Sequence, residues 1–114
     1  MKKRKIAIPV NGEGILESHF GHSKYFAFCM IEDGYLTATV QSEPPRHEPG
    51  VLPRWLAQQN VTDVITGGLG QKAIALLKSG GVNVYTGAPP IFYQEIIELF
   101  LQNRLEFSNN YCDH

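Results

Sequence analysis

The sequence predicts an α/β fold, a mixed five-stranded sheet with helices on its faces. Two apolar runs joined by Asp33-Gly34 have the form of an antiparallel hairpin, since that dipeptide favours the tight turn strand pairs need. Further on, short apolar runs at 62–66 and 82–86 alternate with stretches of helical periodicity, the pattern of parallel strands linked by crossover helices. The length of 114 residues suits one domain, 1–114, ending in a polar tail at 102–114. A globule of this size hides roughly two thirds of its unfolded surface, enough for a core without metal or disulfide staples.

The first strand is 5–10, "KIAIPV", ended by the turn pair Asn11-Gly12. Residues 11–23 form a loop carrying glycine and histidine. In the second strand, 24–32, Phe26, Phe28 and Met30 share one face and Tyr25, Ala27, Cys29 and Ile31 the other. Both faces are apolar, so both should be covered. The third strand, 35–40, alternates Leu36, Ala38 and Val40 with Tyr35, Thr37 and Thr39, a one-sided pattern that suits an edge. Pro44, Pro45 and Pro49 make 41–50 a loop.

A helix follows with Pro53 in its first turn, where a missing N–H costs nothing, and with Leu52, Trp55 and Leu56 striping one face up to about Asn60. The run 62–66 is a buried strand, broken by the glycines of 67–70. Residues 71–79 form a helix stopped by Gly80-Gly81. The run 82–86 is a last strand, 87–90 a turn, and 91–102 a strongly amphipathic helix. The simplest sheet with this β-β-β-α-β-α-β-α sequence has order 3-2-1-4-5 with strand 2 antiparallel. Pro9 conflicts with a central first strand because it cannot donate to a ladder; it should lie where pairing ends, or at a bulge.

The net charge of -1 offers no broad attraction to nucleic acid or an anionic membrane surface. Lys2, Lys3, Arg4 and Lys5 read as a solvated start to the chain. No apolar run approaches the ~18 residues that span a bilayer, and the opening lacks the form of a signal peptide. Two cysteines, Cys29 and Cys112, are too few for a disulfide framework. The cytoplasm is therefore the expected compartment.

This topology sends the loops 11–23, 41–50, 67–70 and 86–90 to one end of the sheet. That end is the crevice outside the carboxyl ends of the parallel strands, where open α/β sheets bind ligands. His19 and His22 in "SHFGHSKYF" and His47 in the next loop all belong there. Imidazole is the commonest nitrogen ligand of transition metals. Each histidine alone reads as an ordinary loop residue, and a spacing of three without a helix is a weak metal signal; the shared end raises its weight. Cys112 and His114 place a thiol and an imidazole two residues apart, a pair able to reach one soft metal, although a tail this polar also suits plain solvation. Cys29, in mid-strand, suits core packing.

In "TGGLGQKA" the amides of Gly68, Leu69 and Gly70, at a helix start, could face an anion. A tight turn is the equal alternative, since neither GxGxxG nor the lysine-serine pair of a phosphate loop is present. No nucleophile-base-acid set stands out. Glu13, Glu17, Glu43 and Glu48 are scattered, and the first strand has no aspartate for magnesium-dependent nuclease chemistry.

Taken in order, "KIAIPV", "SHFGHSKYF", a histidine in the loop before the first helix, "VITGGLGQKAIALLKSGGVNVYTGA" and the final amphipathic helix make the chain resemble the dinitrogenase iron–molybdenum cofactor biosynthesis family, NifX-like and NifB C-terminal-domain-like proteins. The resemblance implies a ribonuclease H-like three-layer α/β/α fold. It implies a non-enzymatic protein that binds or carries an iron–sulfur or molybdenum-containing cluster during cofactor assembly or trafficking, with cofactor-assembly proteins as partners. It puts His19, His22 and His47 forward as ligands, with Cys112 and His114 as an additional pair; in the crevice so read, Phe20, Gly21, Gly67, Gly68 and Gly70 are the expected cluster-binding surroundings, with Phe20 and Phe26 as walls or plain core. A related group holds a molybdenum–copper sulfide cluster without covalent protein ligands, which would favour backbone amides over histidines. The alternative is a phosphate- or nucleotide-binding module built on "GGLG", with the histidines incidental. A ribonuclease H-type hydrolase would need carboxylates that the sequence does not supply.

Overall fold

Three strands, β1 (Lys3–Val10), β2 (Tyr25–Glu32) and β3 (Tyr35–Ser42), precede α1 (Val51–Gln58), β4 (Asp63–Ile65), α2 (Gln71–Ser79), β5 (Asn83–Tyr85) and α3 (Tyr93–Leu101). The computed structural model describes residues 2–46, 48 and 50–109. The sheet runs β3-β2-β1-β4-β5; β2 is antiparallel to β1 and β3, and β1, β4 and β5 are parallel, as expected. Asp33 and Gly34 both take positive φ, the backbone a two-residue hairpin turn demands.

The apolar alternation decides the layers. Ile6, Ile8 and Val10 of β1 and Ala27, Cys29 and Ile31 of β2 pack with Tyr93, Ile96 and Ile97 of α3 on one face. Ala7, Phe26 and Phe28 pack on the other face with Leu52 and Leu56 of α1 and Leu77 of α2. The result is the three-layer α/β/α arrangement. Phe26 lies edge-on to Phe20 and Trp55, with ring centroids 5.4 and 5.6 Å away. Each buried aliphatic side chain stabilises these layers by roughly 1.5–3 kcal/mol relative to exposure.

Pro9 resolves as a strand end on one side only. It pairs with Phe26 in the antiparallel register, whereas the parallel pairing with β4 is confined to Ile6 and Ala7. Its carbonyl, on the side away from β2, accepts the Glu17 N–H at 2.9 Å, so the missing donor falls where β4 has already ended.

Three expectations need correction. β3 is an edge, but its apolar residues do not share one face. Ala38 pairs with Met30 and Leu36 with Ile31, so Thr37 is an extra residue in a bulge that turns Leu36 to the α3 side. Leu36 and Val40 stay 39% and 48% exposed. The basic start of the chain is likewise only partly solvated. Arg4 donates to Asp63 from Nε at 3.2 Å and Nη2 at 2.8 Å, and Lys5 donates from Nζ to the Gln59 carbonyl at 2.8 Å.

The segment after α3 is also not a simple solvated tail. Asn103, at positive φ, turns the chain out of the helix. Leu105 packs on the α3-side core and Phe107 stacks on Tyr85 at 5.9 Å. Ser108 then donates its N–H to the Gly87 carbonyl at 2.8 Å. The chain has thus climbed from the foot of α3 to the opposite end of the sheet.

Candidate functional site: a histidine and glycine rim

β1, β4 and β5 all end on the same side of the molecule, and the loops that follow them are tied to one another. Loop 11–23 begins with an Asn11 turn, in which Asn11 Oδ1 accepts the N–H groups of Glu13 at 2.8 Å and Ile15 at 3.1 Å. Ile15 bridges Phe92, and Tyr93 donates its N–H to the Gly14 carbonyl at 3.0 Å, fastening the loop to the start of α3. Gly14 has φ +83, and a Cβ there would stand 2.6 Å from Phe92 Cε1, so this junction requires glycine.

The loop closes through a single 3-10 turn, Phe20–His22. Phe20 is buried and anchors it; Ser23 Oγ donates to the Phe20 carbonyl at 2.8 Å. His19 and His22 are exposed and stand on either side of this anchor, ring centroids 5.6 Å apart. The Phe20 N–H donates to the Gly68 carbonyl at 3.2 Å, within a parallel bridge between His19 and Gly68. The loop after β4 is therefore held against the histidine turn by backbone bonds.

His19, Phe20, Gly21, His22, Gly68, Leu69, Gly70 and Ala73 line a cavity of about 270 Å³. Gly70 is the N-cap of α2 and, as a glycine, offers no side-chain cap of its own. The positive end of α2 thus lies beside two imidazoles, an arrangement that favours negative charge. Among the described residues, this lining contains no carboxylate.

Of the residues expected at a site, His19, His22, Phe20, Gly21, Gly68 and Gly70 meet at this cavity. Gly67 lies behind it, its carbonyl accepting the Gly87 N–H at 2.9 Å, which links the loops after β4 and β5. Gly68 is buried in the bridge to loop 11–23, so its backbone docks that loop. Phe26 is fully buried behind Phe20 and walls nothing. His47, Cys112 and His114 lie outside the described residues. Among the described residues, no set of three or more His, Cys, Asp or Glu side chains groups closely enough to cage an ion. Ala73 went unnamed in the sequence reading; its place one turn after Gly70, where only a small side chain leaves the helix start open, was the available signal.

Loop 41–50 reaches the same rim at its described part. Glu43, Pro44 and Pro45 border a second depression, about 310 Å³, with Gly21, Ser23, Lys24 and Leu52. A larger cavity, about 500 Å³, lies at the other end of the sheet between Arg4, Tyr85, Phe100 and Phe107. Its charged group is already engaged. Asp63, wholly buried, accepts from Arg4, from Thr62 Oγ1 at 2.6 Å and from Asn83 Nδ2 at 3.3 Å. Burial alone would raise the Asp63 carboxyl; the bonds from Arg4 and Thr62 outweigh it and hold it below the usual carboxylate range. Cys29 shows burial unopposed by charge: desolvation pushes its thiol up to about 12, with a hydrogen bond involving Thr39 pulling only weakly the other way.

Comparison with known proteins agrees with this geometry. The sequence pattern describing the family "Dinitrogenase iron-molybdenum cofactor" matches residues 2–103. The uncharacterized protein MJ0580 of Methanocaldococcus jannaschii is 30% identical over 111 residues, 93% of this chain and 92% of that protein. The crystal structure of PH0822 superposes with TM-score 0.83 at 31% identity, covering 91% of this chain and 96% of the other. The apo form of the orange protein from Desulfovibrio gigas has the same fold, TM-score 0.75 at 19% identity with 94% of each chain covered. A match over nearly the whole chain makes this chain a member of the dinitrogenase iron–molybdenum cofactor family.

Proposed function

We propose that the rim holds a metal–sulfur cluster, iron–sulfur or molybdenum-containing, as cargo carried during cofactor assembly or trafficking, without catalysing a reaction on it. The supporting observation is one juxtaposition: two exposed imidazoles 5.6 Å apart that share one cavity with the start of α2. Sulfide-bridged clusters are anionic and soft. Imidazole nitrogen donates to their metals, while helix-terminal amides and the dipole favour their charge. His19 and His22 are ligands or hydrogen-bond donors in this reading, and Gly70 opens the helix end. Gly21, at the turn between the histidines, lets the guest approach the backbone. Family membership supports the class of cargo.

Anaerobic reconstitution with iron and sulfide, and separately with tetrathiomolybdate, should give charge-transfer absorption that the His19→Ala, His22→Ala double variant weakens. A spectrum unchanged in the double variant removes the histidines from the site. The start of α2 at the cavity also favours a second reading, a phosphate or nucleotide site on "GGLG". Thermal stabilisation by nucleotides, with none from iron–sulfide or thiomolybdate, would select it.

A further inference from the structure

The two edges of the sheet are treated differently. β5 is three residues long, and the segment after α3 lies against it, with Phe107 stacked on Tyr85 and Ser108 bonded to the Gly87 carbonyl. β3 is eight residues long, and among the described residues only β2 pairs with it. A long open edge is a template for another strand, and proteins blunt such edges with lysine, proline or a bulge. Residues 35–42, "YLTATVQS", contain no charge and no proline. Tyr35, Leu36 and Val40 are exposed. The bulge at Thr37 blunts only the first part of the strand and leaves 38–42 in regular pairing with β2.

We infer that β3 pairs antiparallel with β3 of a second copy of this chain, about a two-fold axis at Val40, joining the two five-stranded sheets into one. A two-fold contact must be self-complementary, and this stretch is. With Val40 on the axis, Val40 meets the partner's Val40, Thr39 meets the partner's Gln41 and Ala38 meets the partner's Ser42. This centre uses the whole regular stretch. A centre at Thr39 would draw the Thr37 bulge into the seam, and one at Gln41 would draw in Glu43 and Pro44. Each pair also shares a face. Ala38, Val40 and Ser42 are partnered with Met30, Phe28 and Phe26 on the α1 side, and Thr39 and Gln41 with Cys29 and Ala27 on the α3 side. The first charge past the strand, Glu43, falls opposite the partner's Thr37, so no like charges face each other. A strand of unrelated sequence would need none of this symmetry. A seam this short buries less than the roughly 1,200 Å² of a standard interface, so the association is weak and concentration-dependent. β3 runs towards the rim, so antiparallel pairing sends the two rims to opposite ends of the joint sheet and leaves both open. The pairing is therefore independent of what the rim holds.

Sedimentation velocity of the reduced full chain from about 5 to about 500 μM tests it. Wild type should shift reversibly from monomer to dimer across that range. Val40→Lys sets two ammonium groups against each other on the axis and should leave a monomer at every concentration. Val40 is exposed, so this variant should unfold at the wild-type urea concentration, which separates a lost contact from a lost fold. A wild type that stays monomeric throughout overturns the pairing, as does a dimer that survives Val40→Lys. Disulfide trapping reads the register, in a Cys112→Ser background where the remaining thiol, Cys29, is buried. Val40→Cys should cross-link on mild oxidation. Tyr35→Cys should not, because its counterpart would stand about 30 Å away along the partner strand. Cross-linking at 35, or none at 40, overturns the seam centred on Val40. Iron–sulfide uptake per chain should be equal in wild type and Val40→Lys; uptake lost together with the dimer would require the rims to meet, which this register forbids.

Discussion

The two ends of the sheet handle polar groups in opposite ways. At the end where β1 starts, Asp63 is buried and receives hydrogen bonds from Arg4, Thr62 and Asn83, while Arg4 also covers the Phe100 ring at 5.2 Å. The charges of Arg4, Lys5 and Asp63 are all directed at other groups of the same chain. At the rim, the start of α2 and two exposed imidazoles border a cavity. The larger cavity is at the first end, yet its polar chemistry is already consumed. What distinguishes a binding site from a structural network here is which polar groups the fold leaves pointing outward, and size is a poor guide to that.

The largest expected effect breaks the satisfied end. Asp63→Ala leaves the Arg4 guanidinium half-buried without its carboxylate and should cost about 3 kcal/mol, the low end for a broken buried pair because Arg4 keeps some solvent contact. Urea denaturation measures it, and cluster loading at the rim should be unchanged in whatever fraction is folded. The same carboxylate sets an acid dependence. Its folded pKa is depressed, so its contribution is complete above the unfolded value of about 3.9 and is lost as pH falls through the lower folded value. Urea midpoints between about pH 5 and pH 2 should therefore fall more steeply for wild type than for Asp63→Asn.

That network was the least legible part of the chain. Arg4 and Asp63 are 59 positions apart, and a lone aspartate at the start of a three-residue strand looks like a turn residue until the parallel register sets it beside β1. The bulge at Thr37 was hidden for a related reason: strict alternation in "YLTATV" carries no mark of the extra residue, which only the pairing with β2 defines. By contrast, the core strands were plain because both faces of β2 are apolar, and the sheet order followed from handed crossovers. At the rim, the convergence of loops could be read from chain direction alone. The division of labour among its glycines could not. Gly67 and Gly68 engage in loop-to-loop bonds while Gly70 stays open, a difference made by which carbonyls the neighbouring loops happen to meet.

A smaller effect comes from loosening the rim at its root. Gly14→Ala forces a Cβ against the Phe92 ring at a φ that side chains avoid, and should cost about 1–2 kcal/mol. Because Gly14 and Ile15 tie loop 11–23 to α3, the damage should be local. Hydrogen exchange at Leu16 and Glu17, whose N–H groups are bonded to Ile91 and Pro9, should accelerate before exchange in β2 does. Uniform acceleration across the sheet would mean that the loop is an integral part of the core, and the contrast between the two ends would lose its basis.

The smallest stability effect is also the sharpest test of the contrast. His19→Ala with His22→Ala removes two exposed side chains from a turn whose anchor is Phe20 and whose backbone is held by Gly68 and by Ser23. Surface changes of this kind alter stability by no more than about 0.5 kcal/mol. The double variant should therefore unfold at nearly the wild-type urea concentration while losing much of its charge-transfer absorption after reconstitution. If it instead unfolds as early as Asp63→Ala, the imidazoles hold the turn together, and the rim is built by the same self-satisfying logic as the opposite end. If stability and loading are both untouched, the outward-facing donors that matter are the amides at the start of α2 alone.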